Sequence, residues 1–155
     1  MTELIVIHGI SLPPGEYGGP EIEALFTNTL NADAHPYFAE ISGLEVSAHF
    51  LVRRAGEVVQ FVSTDARAWH AGVSCWQGRE QCNDFSIGIE LEGCDDEAYT
   101  DAQYDTLNQL LAALTRQYPN IRHDAIVGHS DIAPGRKTDP GPAFDWSRVA
   151  AGQSQ

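Results

Sequence analysis

Positive charge is scarce in this chain. Its 155 residues carry 9 Lys and Arg against 22 Asp and Glu, a formal net charge of −13. Phosphate-backbone binding needs clustered Lys and Arg, so this balance argues against a nucleic-acid partner. Cysteine is also sparse: Cys75, Cys82 and Cys94 form an odd set without CxxC spacing. That predicts reduced thiols in a cytoplasmic setting rather than a disulfide framework. No window approaches the run of about eighteen apolar residues that a membrane span needs. The opening Met1-Thr2-Glu3-Leu4-Ile5-Val6-Ile7-His8 lacks the basic flank and apolar length of a signal peptide. Internal repeats, low-complexity segments and linkers are missing as well. The expectation is one domain over 1–155, a cytoplasmic monomer with no membrane partner.

What is present suffices for a core: 43% of residues are hydrophobic and 9% aromatic. Leu4 to Ile7 reads as a buried strand that runs into His8. A Pro/Gly loop follows, and Pro20 then opens a short helix with Ile22, Leu25 and Phe26 on one face. Residues 46–53 and 57–63 read as a hairpin about Arg54-Ala55-Gly56. Val46, Ala48, Phe50 and Val52 share one face of it, with Val58 and Phe61 supporting the second strand. In 85–92, Phe85, Ile87, Ile89 and Leu91 alternate with Ser86, Gly88, Glu90 and Glu92. The clearest helix covers 101–117, capped by Thr100 with Gln103 three residues on. Its apolar stripe is Tyr104, Leu107, Leu110, Leu111 and Leu114, and Pro119 stops it. Ala125-Ile126-Val127 is a short strand that delivers Gly128-His129. The fold class is α/β, a central mixed β-sheet flanked by helices.

The loop 128–142 holds a histidine, an aspartate ten positions later, and a lysine two before that aspartate, stiffened by three prolines and three glycines. Ordering a loop costs conformational entropy, and Pro/Gly chemistry of this kind suits a segment with atoms to position. Two strand-end histidines, His8 and His129, with the carboxylate of Asp139 match three-ligand catalytic zinc, which keeps a fourth position for water of lowered pKa. Read singly, each histidine, His49 included, fits a hydrogen-bonded structural role better than a ligand's. Glu90, beside Ser and Gly on its strand face, is a candidate general base, or else a solvent-facing strand residue. Glu92, nearer the strand end, is read as a capping or pairing residue. Lys137 is a candidate oxyanion partner, or a plain surface lysine. Trp69, in Trp69-His70-Ala71-Gly72, is either a groove wall or core.

These residues together resemble the AmpD-type N-acetylmuramyl-L-alanine amidases. The resemblance runs over nearly the whole chain. It is carried by His8-Gly9-Ile10-Ser11-Leu12-Pro13-Pro14-Gly15-Glu16, Val46-Ser47-Ala48-His49, Arg67-Ala68-Trp69-His70-Ala71-Gly72, Gly78-Arg79-Glu80, Cys82 through Gly93, and the loop 128–146. It implies an amidase fold like that of peptidoglycan-recognition proteins, with Zn2+ on His8, His129 and Asp139. Glu90 and Lys137 are then the catalytic pair, and Tyr37, Trp69 and Arg79 are looser candidates for substrate contact. The implied reaction is hydrolysis of the amide between (1,6-anhydro-)N-acetylmuramic acid and L-alanine in small muropeptides during cytosolic peptidoglycan recycling. A non-catalytic muropeptide-binding or sensing module, or a lysin acting on polymeric wall, are the rivals. Two positions depart from the family pattern: Gln81 stands in place of an arginine, and Gly9 in place of an asparagine. A further segment before the first strand is also expected of relatives.

Overall fold

The computed structural model describes residues 1–41 and 43–149. Its frame is a five-stranded mixed sheet, as expected. β1 (Leu4–Ile10), β2 (Phe50–Val52), β3 (Val58–Gln60), β6 (Ser86–Glu92) and β7 (Ile126–Gly128) lie in the order β3-β2-β6-β1-β7, and β4 (Cys75–Trp76) with β5 (Arg79–Glu80) makes a separate small ribbon. Within the five-stranded sheet β6 runs parallel to β1 and β2, β7 parallel to β1, and β3 antiparallel to β2; β4 and β5 are antiparallel to each other. Among the described residues four α-helices accompany them: α1 (Glu21–Phe26), α2 (Pro36–Ile41), α3 (Asp101–Gln117) and α4 (His129–Ile132). The Leu12–Pro13 and Asp139–Pro140 peptides are cis.

Two apolar clusters hold the sheet. In the larger, Ile87, Ile89 and Leu91 of β6 pack with Leu107, Leu111 and Leu114 of α3, each contributing roughly 1.5–3 kcal/mol by leaving water. The smaller joins Leu12, α1 residues Ile22, Leu25 and Phe26, and Phe38 of α2 to Ala48 and Leu51. The expected cap of α3 forms. Thr100 Oγ1 accepts from the Gln103 N–H at 3.1 Å, and Gln103 Oε1 accepts from the Thr100 N–H at 3.0 Å. The fully buried Gln103 amide also donates to the Val52 and Glu92 carbonyls at 3.1 and 2.9 Å, tying the helix start to the ends of β2 and β6.

The hairpin differs from its expected outline. Its strands are three residues each, and residues 46–49 lie outside β2. The expected common face of Val46, Ala48, Phe50 and Val52 is divided: Phe50 and Val52 belong to the larger cluster, Ala48 and Leu51 to the smaller. β2 is buried along its whole length because it lies inside the sheet, whereas Val58 is exposed on the edge strand β3. β6 is likewise buried at every position, so Ser86, Gly88, Glu90 and Glu92 do not form an exposed polar face. α2, α4 and the β4–β5 ribbon are too short to leave a periodic signature in the chain.

Candidate active site

Parallel pairing in register brings the chemistry together. His8 of β1 stands opposite Glu90 of β6, and Ile7 stands opposite Gly128, the last residue of β7. His129 therefore emerges beside His8, on the first residue of α4 rather than on a simple loop. Ligand sites in such sheets gather where the parallel strands end. The Asp139 carboxylate closes the group from the following loop. Its own carbonyl accepts from the Ser130 N–H at 3.0 Å, and the Tyr99 hydroxyl donates to the Pro140 carbonyl at 2.8 Å. Thr138 Oγ1 also bonds Asp95 Oδ2.

His8 Nδ1 lies 3.0 Å from His129 Nδ1 and 3.3 Å from Asp139 Oδ2, and His129 Nδ1 lies 3.3 Å from both Asp139 oxygens. One donor atom from each residue falls within 4.8 Å of the others, so the three side chains could hold a metal ion. The protonation pattern fits that use. His129 Nε2 is 2.9 Å from the Ala71 carbonyl, which can only accept. Neutral His129 therefore carries its proton on Nε2 and leaves Nδ1 bare toward the other two groups. Burial pushes the His8 imidazole down to about 4, against the opposing pull of the Asp139 carboxylate. Burial alone would raise the Asp139 carboxyl, but the His129 and His8 rings set against it hold it well below the usual carboxylate range. Two neutral imidazoles and one carboxylate are the donor set of a borderline divalent cation.

Glu90 Oε2 is 3.6 Å from His8 Nδ1. Burial raises its pKa well above the ordinary value, the Asp139 charge adds to that, and Lys137 opposes it. The carboxyl is thereby moved toward the range where a group both takes and returns a proton near neutrality. Lys137 is exposed and lines the same cleft; its N–H donates to the Ala133 carbonyl at 3.0 Å, while its ammonium makes no hydrogen bond to the described residues. Its neighbour Arg136 is committed elsewhere: Nη2 donates to the Ala71 and Val73 carbonyls at 2.7 and 2.8 Å. Glu92 pairs, as its position suggested, accepting from the Gly18 N–H at 2.8 Å and from Arg53 at 3.3 Å.

The cleft measures about 510 Å3 and is floored by His8, Glu90, His129 and Asp139. Leu12, Leu25, Phe26 and Tyr37 supply its apolar wall, and these come from the smaller core cluster and its margin. A second depression of about 340 Å3 shares Trp69, His129 and Lys137 with it, so the groove continues past the site. Trp69 is 56% exposed and is a groove residue rather than core, its ring covered by the Arg67 guanidinium at 4.3 Å. Tyr37 is half-buried in the wall. Arg79 is not brought to either depression. It pairs with Glu3 at 3.0 Å and stacks on Phe85. Gln81 is exposed at a φ of 56° and lines neither.

His49 is structural: its Nδ1 accepts from the Gly88 N–H at 3.0 Å and its Nε2 donates to the Ala66 carbonyl at 2.8 Å. Sequence reasoning placed His70 only as part of a groove segment, yet it touches His8 directly, with Nδ1 2.9 Å from His8 Nε2. Tyr99 and Asp95 were missed altogether. Nothing in their spacing betrays them, since both act on the Asp139 loop from more than forty residues away in the chain.

Residues 2–142 match the family model described as N-acetylmuramoyl-L-alanine amidase. The 1,6-anhydro-N-acetylmuramyl-L-alanine amidase AmpD of Enterobacter cloacae is 67% identical over 148 residues, 96% of this chain and 79% of that protein. The crystal structure of a selenomethionine AmpD derivative superposes with a TM-score of 0.95 at 62% identity, covering 99% of this chain and 85% of that one. The N-acetylmuramyl-L-alanine amidase AmiD of E. coli, solved with anhydro-N-acetylmuramic acid-L-Ala-D-gamma-Glu-L-Lys, gives 0.70 at 31% identity, covering 97% of this chain and 57% of that one. By sequence and by fold, the chain belongs to the N-acetylmuramoyl-L-alanine amidase family.

Proposed function

We propose that this amidase is a zinc enzyme that cleaves the amide joining the lactyl group of 1,6-anhydro-N-acetylmuramic acid to L-alanine in small muropeptides. The observation that carries the reading is the convergence of His8, His129 and Asp139 donor atoms within 4.8 Å, beside a buried Glu90. The substrate class is supported by the AmpD relative's name and by the muropeptide seen with AmiD. Three unpaired cysteines suit a reducing cytoplasm, where soluble wall fragments are recycled.

His8 Nδ1, His129 Nδ1 and an Asp139 oxygen would hold the ion. Zinc in such a site acts as a Lewis acid toward a carbonyl and makes water acidic enough to ionise near neutrality. Glu90 takes the proton of the attacking water and returns it to the departing alanine nitrogen, a double duty that its raised pKa suits. Lys137 places a positive charge beside the oxygen that becomes negative as the carbonyl turns tetrahedral. The apolar wall around Leu12, Phe26 and Tyr37 receives the uncharged lactyl and sugar faces, and excludes water from them. A sensing module would not need a buried proton-transfer group set against a complete donor set.

The test is mass spectrometry of products from anhydro-muropeptide incubated with zinc-loaded and with chelated protein. Release of free stem peptide by the loaded form alone is expected. Asp139→Ala should lose both bound zinc and turnover. Intact substrate with the loaded form, or full turnover without metal, would sink the proposal.

A further inference from the structure

Ser86, His70 and His8 form a line of side-chain hydrogen bonds that ends at the donor group of the site. His8 Nε2 lies 2.9 Å from His70 Nδ1, and His70 Nε2 lies 3.0 Å from Ser86 Oγ. The His8 and His70 rings meet edge to face at 90°, with centroids 5.0 Å apart. All three residues are buried. The reaction as described gives His70 no task.

His70 is held against rotation from several sides. Asn83 Oδ1 accepts both the His70 N–H at 3.1 Å and the Ala71 N–H at 2.8 Å. The His70 ring lies flat over Gly88, where a Cβ would collide with its Cγ. His49, itself locked between the Gly88 N–H and the Ala66 carbonyl, flanks it at 6.0 Å. Such crowding holds a side chain in a single orientation.

The polarity of the line follows from its end. For Nδ1 of His8 to be a ligand it must be bare, so neutral His8 carries its proton on Nε2. The acceptor that this N–H meets is His70 Nδ1. His70 must then be protonated on Nε2, and it donates to Ser86 Oγ. The neighbouring residue does the same service for the other imidazole, since the Ala71 carbonyl accepts from His129 Nε2. One dipeptide, pinned by Asn83, thus orients both histidines.

We propose that His70 is a positioning residue of the metal site: it accepts the Nε2 proton of His8 and so fixes the tautomer and ring angle that aim Nδ1 at the ion. This rests on the zinc reading above. Removing an outer partner of this kind typically weakens metal affinity by about 10–100-fold.

The experiment combines competition titration of zinc against a chromogenic chelator with long-range 1H–15N spectra of the zinc-loaded protein. His70→Leu should bind zinc about 10–100-fold more weakly, and His70→Asn should recover most of the loss, because its Oδ1 offers an acceptor close to the place of Nδ1. In the wild-type spectrum His70 should carry its proton on Nε2. A His70 proton on Nδ1, or wild-type zinc affinity in His70→Leu, would overturn the inference while leaving the zinc reading intact. Should His70→Leu fail to fold, the wild-type spectrum still decides. Wild-type protein that binds no zinc would overturn both.

Discussion

The Tyr99 hydroxyl occupies the space that a side chain at residue 9 would fill. A Cβ built on Gly9 meets that oxygen head-on and comes within 3.5 Å of Pro140 Cα. The same hydroxyl donates to the Pro140 carbonyl, and the Gly9 N–H donates to Asp139 Oδ2 at 3.3 Å. Glycine at this position is therefore matched by a tyrosine that braces the aspartate loop.

The contact predicts a non-additive pair. Gly9→Ala should cost about 1–3 kcal/mol through overpacking, and Tyr99→Phe about 1 kcal/mol through the lost hydrogen bond. Together they should cost clearly less than the sum, because phenylalanine removes the colliding atom. Denaturant midpoints of the four proteins measure this, and simple additivity would show that the collision is relieved elsewhere.

Glu90→Gln should leave zinc stoichiometry unchanged and lower kcat by about 10²–10⁴-fold, the usual worth of a positioned general acid–base. Metal analysis and steady-state rates on the same samples give both numbers. An unchanged kcat would remove Glu90 from proton transfer.

Lys137→Ala should lower kcat by about 10²-fold with KM little altered, since the charge is needed where the oxyanion forms. Thermal stability should stay constant, because the Lys137 side chain is exposed and makes no hydrogen bond to the described residues. A rise in KM alone would make it a binding cation instead.

Glu90 also governs how folding stability responds to pH. Its folded pKa lies above its ordinary 4.5, so its contribution is full below that value and is lost as pH rises through the raised pKa. Chelated Glu90→Gln should thus be more stable than chelated wild type at pH 8, with the gap closing toward pH 4.5. His8 works oppositely. Its pKa falls from 6.5 to about 4, so both proteins should lose stability between those values, by about 3 kcal/mol from His8 alone. Melting curves across pH 4–8 test both signs, and coincident curves for the two proteins would exclude a strained Glu90.

The cluster of His8, His129 and Asp139 was legible in the chain because apolar runs end at His8 and just before His129, and because a proline- and glycine-rich loop carries Asp139. Glu90 was legible from the small residues beside it on one strand face. The register that sets His8 against Glu90 was not, since pairing of parallel strands more than eighty residues apart leaves no local mark. His70 was visible only as a groove letter, for its meaning lies in what its two nitrogens touch. Arg79 misled because an arginine within a family motif reads the same whether it grips substrate or, as here, Glu3. Val58 looked like a supporting residue because alternation does not say which strand forms the sheet margin.

The site lies on the seam between two apolar clusters. Ile7 and Ile89, next to His8 and Glu90, are rooted in the larger one, while Leu12, Leu25 and Phe26 of the cleft wall belong to the smaller. Mutations that reshape the wall can therefore accumulate without loosening the hydrolytic machinery. Such a division of labour lets a lineage exchange one wall fragment for another while inheriting its catalyst unchanged.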